Sequence, residues 1–142
     1  MREILFRGKR IDNGKWVYGY YAPCCLGRFP CSPCIVPDPD GIWEPIEVDP
    51  FTIGQYTGLT DKNGKEIFEG DILKVHDEIP LFDGYKSEEI CYNGKVMYLD
   101  NRGMYVCEGN GDGNALFALN LDECQVIGNI HDNPELLEGQ AR

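Results

Sequence analysis

The chain has 142 residues, enough for one domain with a core of its own. Its net charge is −11, and its thirteen Lys and Arg are thinly scattered, the densest group being Arg7, Lys9 and Arg10. A duplex binder needs a concentrated positive face to displace counterions from phosphate, so no direct nucleic-acid binding is expected. No run of ~18 apolar residues is present, which excludes a membrane-spanning helix. Residues 1–9 carry frequent charges and no apolar stretch of signal-peptide length, so a cytoplasmic protein with no membrane partner is expected. Seven cysteines are an odd number for a disulfide framework, and in a reducing compartment they are expected as free thiols.

In chain order, residues 4–7 alternate apolar and charged side chains, as a half-buried strand does. Asp12-Asn13-Gly14 is a hairpin turn signal, and residues 15–21 return from it rich in aromatic and β-branched types. Residues 23–41 hold five of the nine prolines and four of the cysteines, which forbids a long helix and limits strand to short edges such as residues 34–36. An extended pattern resumes over residues 42–48. A strand then ends in Gln55-Tyr56-Thr57-Gly58, the pair Asn63-Gly64 turns, residues 65–68 extend, and Glu69-Gly70-Asp71-Ile72 opens a strand through residue 76. Residues 77–87 are polar and predict a loop. Residues 90–92 and 95–99 flank Asn93-Gly94 and predict a second hairpin. Residues 104–107 are strand-like, residues 109–114 predict a flexible connector, and residues 115–119 and 125–131 extend again. Asn133-Pro134-Glu135 predicts a short C-terminal helix, with Asn as N-cap and Pro in the first turn. The expectation is an all-β, small barrel-like single domain over residues 1–142. It carries a Pro/Cys-rich excursion at about 23–45 and a short C-terminal helix.

Three segments resemble the YopX family of phage and prophage proteins. They are Phe6-Arg7-Gly8-Lys9-Arg10-Ile11-Asp12-Asn13-Gly14-Lys15-Trp16-Val17-Tyr18-Gly19, the stretch from Val48-Asp49-Pro50-Phe51 to Glu69-Gly70-Asp71-Ile72, and Glu123-Cys124-Gln125-Val126-Ile127-Gly128-Asn129-Ile130-His131-Asp132-Asn133-Pro134-Glu135-Leu136-Leu137. In this order they span nearly the whole chain. The resemblance implies a predominantly β protein with a compact barrel-like part, encoded by phage, prophages or similar mobile elements. It implies no reaction, because the family carries no established biochemical function.

Chemically suggestive residues each have a plain structural reading. Cys31-Ser32-Pro33-Cys34 is a C-x-x-C pair that, with Cys24 or Cys25, could complete a tetrahedral zinc site. The second C-x-x-C of a zinc ribbon is missing, and small, buried, reduced residues explain the four cysteines as well. Prolines on both sides also argue against a thioredoxin-like use of Cys31 and Cys34. His76 and His131 with Asp71 and Asp132 could form an acid–base or metal cluster, although nothing in their spacing demands one. Asp38, Asp40, Glu44, Glu47 and Asp49 offer oxygens to a hard cation or simply a solvated loop face. Residues 109–114 superficially suggest a calcium loop, but Ala115 stands where glycine is needed and Leu121 where the bidentate acid belongs. Ser32 and Ser87 are the only serines, and no nucleophile elbow, phosphate loop or dinucleotide fingerprint is present.

Gln55, Tyr56 and Asp71 are the residues to test for a polar site. Positive-φ turns explain the glycines and the Asn-Gly pair around them. The leading expectation is therefore a non-enzymatic accessory protein with no catalytic, cofactor-binding or metal residues. Trp16, Tyr18, Tyr20, Tyr21 and Trp43 suggest a surface for a second copy or for a host or phage protein. The alternatives are an acidic DNA mimic that occupies a host DNA-binding protein, and a zinc-binding module using the loop from Cys24 to Cys34.

Overall fold

The computed structural model describes residues 4–23, 33–37, 45–80, 87–109, 112–116 and 119–138. Strands dominate and form two antiparallel sheets, and the chain falls into two compact units, residues 1–58 and 59–142. Among the described residues no helix is long and apolar enough to cross a membrane.

The first unit contains β1 (Phe6–Lys9), β2 (Trp16–Ala22), β3 (Cys34–Val36), β4 (Ile46–Glu47) and the first part of β5 (Gly54–Thr60). Its strands run in the order β4-β3-β2-β1-β5. The β1–β2 hairpin turns where Asn13-Gly14 stands: Gly14 has φ +71°, and the Asn13 side chain accepts the Lys15 N–H at 2.9 Å. Ile35 and Val48 are fully buried. The Asp49 carboxylate accepts the Phe51 N–H at 3.0 Å and caps a 3₁₀ turn, Pro50–Thr52. The Thr52 hydroxyl accepts the Lys9 N–H and donates to the Asp49 carbonyl, which anchors that turn to β1.

The expected barrel is not found. β4 has only two residues, and beyond it a single bridge, Arg10 to Val48, reaches the end of β1. Closing a barrel takes a continuous ladder with a fixed stagger, and one bridge does not supply it.

The second unit begins within β5, which turns at residues 61–65 into β6 (Glu66–Phe68). Its large sheet has the order β10-β9-β8-β7-β11, built from β7 (Asp71–Pro80), β8 (Ser87–Leu99), β9 (Met104–Gly109), β10 (Asp112–Ala115) and β11 (Gln125–Asn129). One face carries the core: Leu73, Val75, Tyr92, Val96, Cys107 and Val126, with Ile67, Leu116, Leu119 and Cys124 packed into the same cluster. The β6–β7 corner is held by the Asp71 carboxylate, which accepts the buried Phe68 N–H at 2.8 Å, and by Gly70, whose N–H donates to Val96 and whose carbonyl accepts from Ile130.

Four local expectations are corrected. Asn93-Gly94 is not a turn but the middle of the 13-residue β8, with Asn93 opposite Lys74 and Gly94 opposite Leu73. A Cβ at Gly94 would stand 2.5 Å from the Cys107 sulfur and 3.2 Å from the Tyr92 ring, so glycine lets β8 lie close over the core. Residues 77–80 continue β7 and residue 87 opens β8, because the β7–β8 ladder runs on to Pro80 and Ser87 through backbone bonds indifferent to polar side chains. The expected connector 109–114 is mostly strand: β9 ends at Gly109 and β10 starts at Asp112. The C-terminal helix is a single 3₁₀ turn, Pro134–Leu137, uncapped by the Asn133 side chain. Glu138 beyond it is extended, which stops the turn after one repeat.

Gly94→Ala should cost about 1–3 kcal/mol, the usual range for forcing an extra methyl into a packed site. Urea denaturation of the variant would check this.

Candidate functional site

Two surfaces merit a functional reading, one in each unit. On the first, antiparallel register sets Arg7 opposite Tyr18 and Lys9 opposite Trp16, so these four side chains share one face of the β1–β2 hairpin. The Arg7 guanidinium lies 4.5 Å from the centroid of the Trp16 ring and the Lys9 ammonium 5.8 Å from it. Both cations are thus taken up on indole, and Arg10 is paired with Asp12 at 2.7 Å. Tyr18 and Tyr20 extend the aromatic row along β2, each about half exposed, and Tyr21 points from the opposite face against Phe6. Six of the seven exposed large apolar side chains among the described residues belong to this unit. Charge is divided unevenly too. Residues 1–58 hold six Lys and Arg against seven Asp and Glu, a net of −1. Residues 59–142 hold seven against seventeen, a net of −10.

The second surface is a cleft of about 260 Å³ on the face of the large sheet opposite its core, lined by Lys62, Lys74, His76, Cys91, Glu123 and Gln125. Its floor follows from register. Gln125 of β11 lies opposite Lys74 of β7, and His76 of β7 lies opposite Cys91 of β8. The alternation that buries Leu73 and Val75 turns Lys74 and His76 outward. The wall comes from the turn after β5, where the Lys62 N–H donates to the Cys124 carbonyl at 3.0 Å and so holds this turn beside Glu123. Both imidazole nitrogens of His76 face carboxylates, Nε2 that of Glu89 and Nδ1 that of Glu123, each at 3.6 Å.

The turn that supplies Lys62 is fixed by its neighbour. Asp61 is buried; its Oδ1 accepts the Asn63 and Lys65 N–H groups and its Oδ2 accepts the Val126 N–H at 2.9 Å. Burial alone would raise the carboxyl's pKa, but these three backbone donors outweigh it and hold the group below its ordinary value. Asp61-Lys62-Asn63-Gly64 is therefore a structural clasp, with Gly64 at φ +77°.

The sequence-derived candidates are dispersed. His76 lines the cleft, whereas His131, Asp71 and Asp132 do not. Asp71 serves the β6–β7 corner, and the Asn129 side chain accepts the His131 and Asp132 N–H groups while donating to the Asp132 carboxylate. Gln55 lies opposite Phe6 in the β1–β5 ladder, and the buried Tyr56 donates its N–H to the Leu5 carbonyl at 2.7 Å. Of the acids proposed for a hard cation, Glu47 lies in β4 and Asp49 caps a turn; Asp38, Asp40 and Glu44 lie outside the described residues. Trp43, Cys24, Cys25 and Cys31 lie outside them as well. Cys34 is buried in β3 and disulfide-bonded, against the expectation of a reduced thiol, so it offers no thiolate to zinc in this state. Among the described residues no three His, Cys, Asp or Glu side chains converge as metal ligands. Cys91, Cys107 and Cys124 are free thiols; Cys91 is exposed and the other two are buried. Burial, and then the neighbouring Cys124, push the Cys107 thiol up to about 12.

A sequence profile described as YopX protein matches residues 32–138, and the chain belongs to the YopX family. The crystal structure of protein EF1440 from Enterococcus faecalis is similar, with a TM-score of 0.58 and 28% identity over 97% of this chain and 100% of that one. No curated protein matches the chain.

Asp61→Asn should lower stability by about 1.5–3 kcal/mol, since an amide nitrogen would face a buried N–H or leave it unpaired. The contribution of Asp61 is complete above the unfolded-state value of ~4 and is lost as pH falls through the lower folded-state value. Urea denaturation across the acid range should show a shallower pH slope for the variant. Peptide mapping after alkylation of the native protein should find Cys91 labelled readily, and Cys107 and Cys124 only after unfolding.

Proposed function

We propose that this YopX-family chain is a non-enzymatic accessory protein of phage or prophage origin that works through protein contacts, first of all with a second copy of itself. The observation that carries this reading is the row of Trp16, Tyr18 and Tyr20 on β2, with both tyrosines half exposed. Tyr and Trp are the residues that anchor interfaces, and interface cores are depleted in acids. Only the first unit meets both conditions, because it is close to neutral while the second has a net charge of −10. The near-neutral first unit brings little like-charge repulsion of its own to a contact, and the same patch on each copy satisfies a two-fold interface. A bacterial cytoplasm is the setting this reading supplies.

A second reading is favoured by the concentration of acid in residues 59–142. An acidic surface of this kind would occupy a host DNA-binding protein in place of DNA, and its capture of basic proteins would weaken steeply with salt. Capture indifferent to salt would remove this reading.

Sedimentation velocity over a wide concentration range should find a dimer or a higher multiple. The double variant Tyr18→Ser, Tyr20→Ser should weaken association at least about tenfold while leaving the circular dichroism spectrum unchanged. A wild-type chain that stays monomeric at high concentration and retains no host or phage protein in a pull-down would overturn the proposal.

A further inference from the structure

We propose that the cleft over Lys74, His76 and Cys91 is a thiol–disulfide exchange site. Its substrate is a small zwitterionic disulfide of the amino-acid type, and Cys91 is the residue that becomes modified. This goes beyond the assembly reading, since the cleft belongs to the second unit and the aromatic row to the first.

Three features of the geometry carry the proposal. Among the described cysteines only Cys91 is both free and exposed, and it lines a cavity. Its partner directly across the β7–β8 ladder is His76, the side chain able to accept a thiol proton; directly opposed residues bring their Cβ atoms to roughly 5 Å. The lining is also of mixed sign: Lys62 and Lys74 present ammonium groups, and Glu123 presents a carboxylate, with Glu89 at the other imidazole nitrogen. A purely anionic reagent would meet two carboxylates, and a cationic one two ammonium groups. A reagent that carries both an α-carboxylate and an α-ammonium finds a partner for each, while the Gln125 amide can donate or accept. At about 260 Å³ the cleft falls below the usual range for drug-sized ligands and suits a single amino-acid residue, one half of such a disulfide.

The exchange balances without a further reagent. The Cys91 thiol passes its proton to His76, and the resulting thiolate attacks one sulfur of the disulfide. The S–S bond of the reagent breaks as the bond from Cys91 forms. The other half leaves as a thiolate carrying the electron pair, and it takes the proton back from the imidazolium to depart as a thiol. Cys91 ends oxidised in a mixed disulfide and the departing half is reduced.

The test uses the full chain incubated with cystine and, separately, with the uncharged 2-hydroxyethyl disulfide. Samples are quenched with acid and read by intact mass and peptide mapping, with N-acetylcysteine as the reference thiol. Relative to that thiol, Cys91 should favour cystine over the uncharged disulfide by roughly tenfold, the lower end of what local charge gives to association. The double variant Lys62→Gln, Lys74→Gln should lose the preference, and His76→Gln should slow Cys91 towards both reagents. These three side chains are solvent-accessible, so circular dichroism of the variants should match wild type. Equal relative rates for the two disulfides, modification that spares Cys91, or a preference that survives removal of both lysines would overturn the proposal.

Discussion

The Asp61 carboxylate is the constraint on which the second unit turns. Its two oxygens take three backbone N–H groups, two from its own turn and one from Val126 of β11. A carboxylate offers several lone-pair directions and no donor, so it alone among side chains of its size gathers such donors without leaving a hydrogen in conflict. The bond to Val126 reaches across 65 residues of chain and sets the edge strand against the hairpin that starts the unit. Lys62 follows at once, its N–H on the Cys124 carbonyl, so the core behind the sheet and the cleft in front of it derive from adjacent residues of one turn.

The two sheet faces express this arrangement in opposite chemistry. Behind, Leu73, Val75, Tyr92 and Val126 exclude water; in front, Lys74, His76, Cys91 and Gln125 occupy the alternate positions of the same strands. Neither set can slip by one residue without exchanging places with the other, which makes the register strongly specified. The two buried thiols, Cys107 and Cys124, act as small apolar residues within that core, and the thiol at the surface is the one left for chemistry.

Much of the fold is legible from the sequence, and the exceptions share physical causes. Asn13-Gly14 and Asn63-Gly64 turn as their residue types imply, and the aromatic run of β2 and the short strand at Cys34 form where expected. Asn93-Gly94 carries the same dipeptide to a different end. Glycine tolerates positive φ and also lacks a Cβ, and at Gly94 the second property is used, against a sulfur at position 107 that no local window contains. Strand polarity misleads over residues 77–80 because a ladder is held by backbone groups. The site is harder still to see. His76 and Cys91 are fifteen positions apart, and they meet only in one of the registers the hairpin could adopt. The carboxylate at Glu123 arrives from a short 3₁₀ turn with no motif of its own.

The length of the β7–β8 hairpin has a consequence for solubility. β11 pairs with β7 only over residues 71–74, and β9 pairs with β8 only over residues 95–99. Among the described ladders, residues 77–80 and 87–90 therefore form a two-stranded ribbon with an unpaired backbone edge on each side. Such edges recruit strands from other molecules and seed aggregates. In sequence this stretch holds the acids Asp77, Glu78, Glu88 and Glu89, the register sets position 78 directly opposite position 89, and Pro80 removes one backbone donor at the end of β7. A like-charge pair across a ladder weakens the hairpin itself. Its return is that an incoming strand would have to pair with a stretch dense in acidic residues and closed by proline, a composition that acts as a gatekeeper against runaway β-sheet growth.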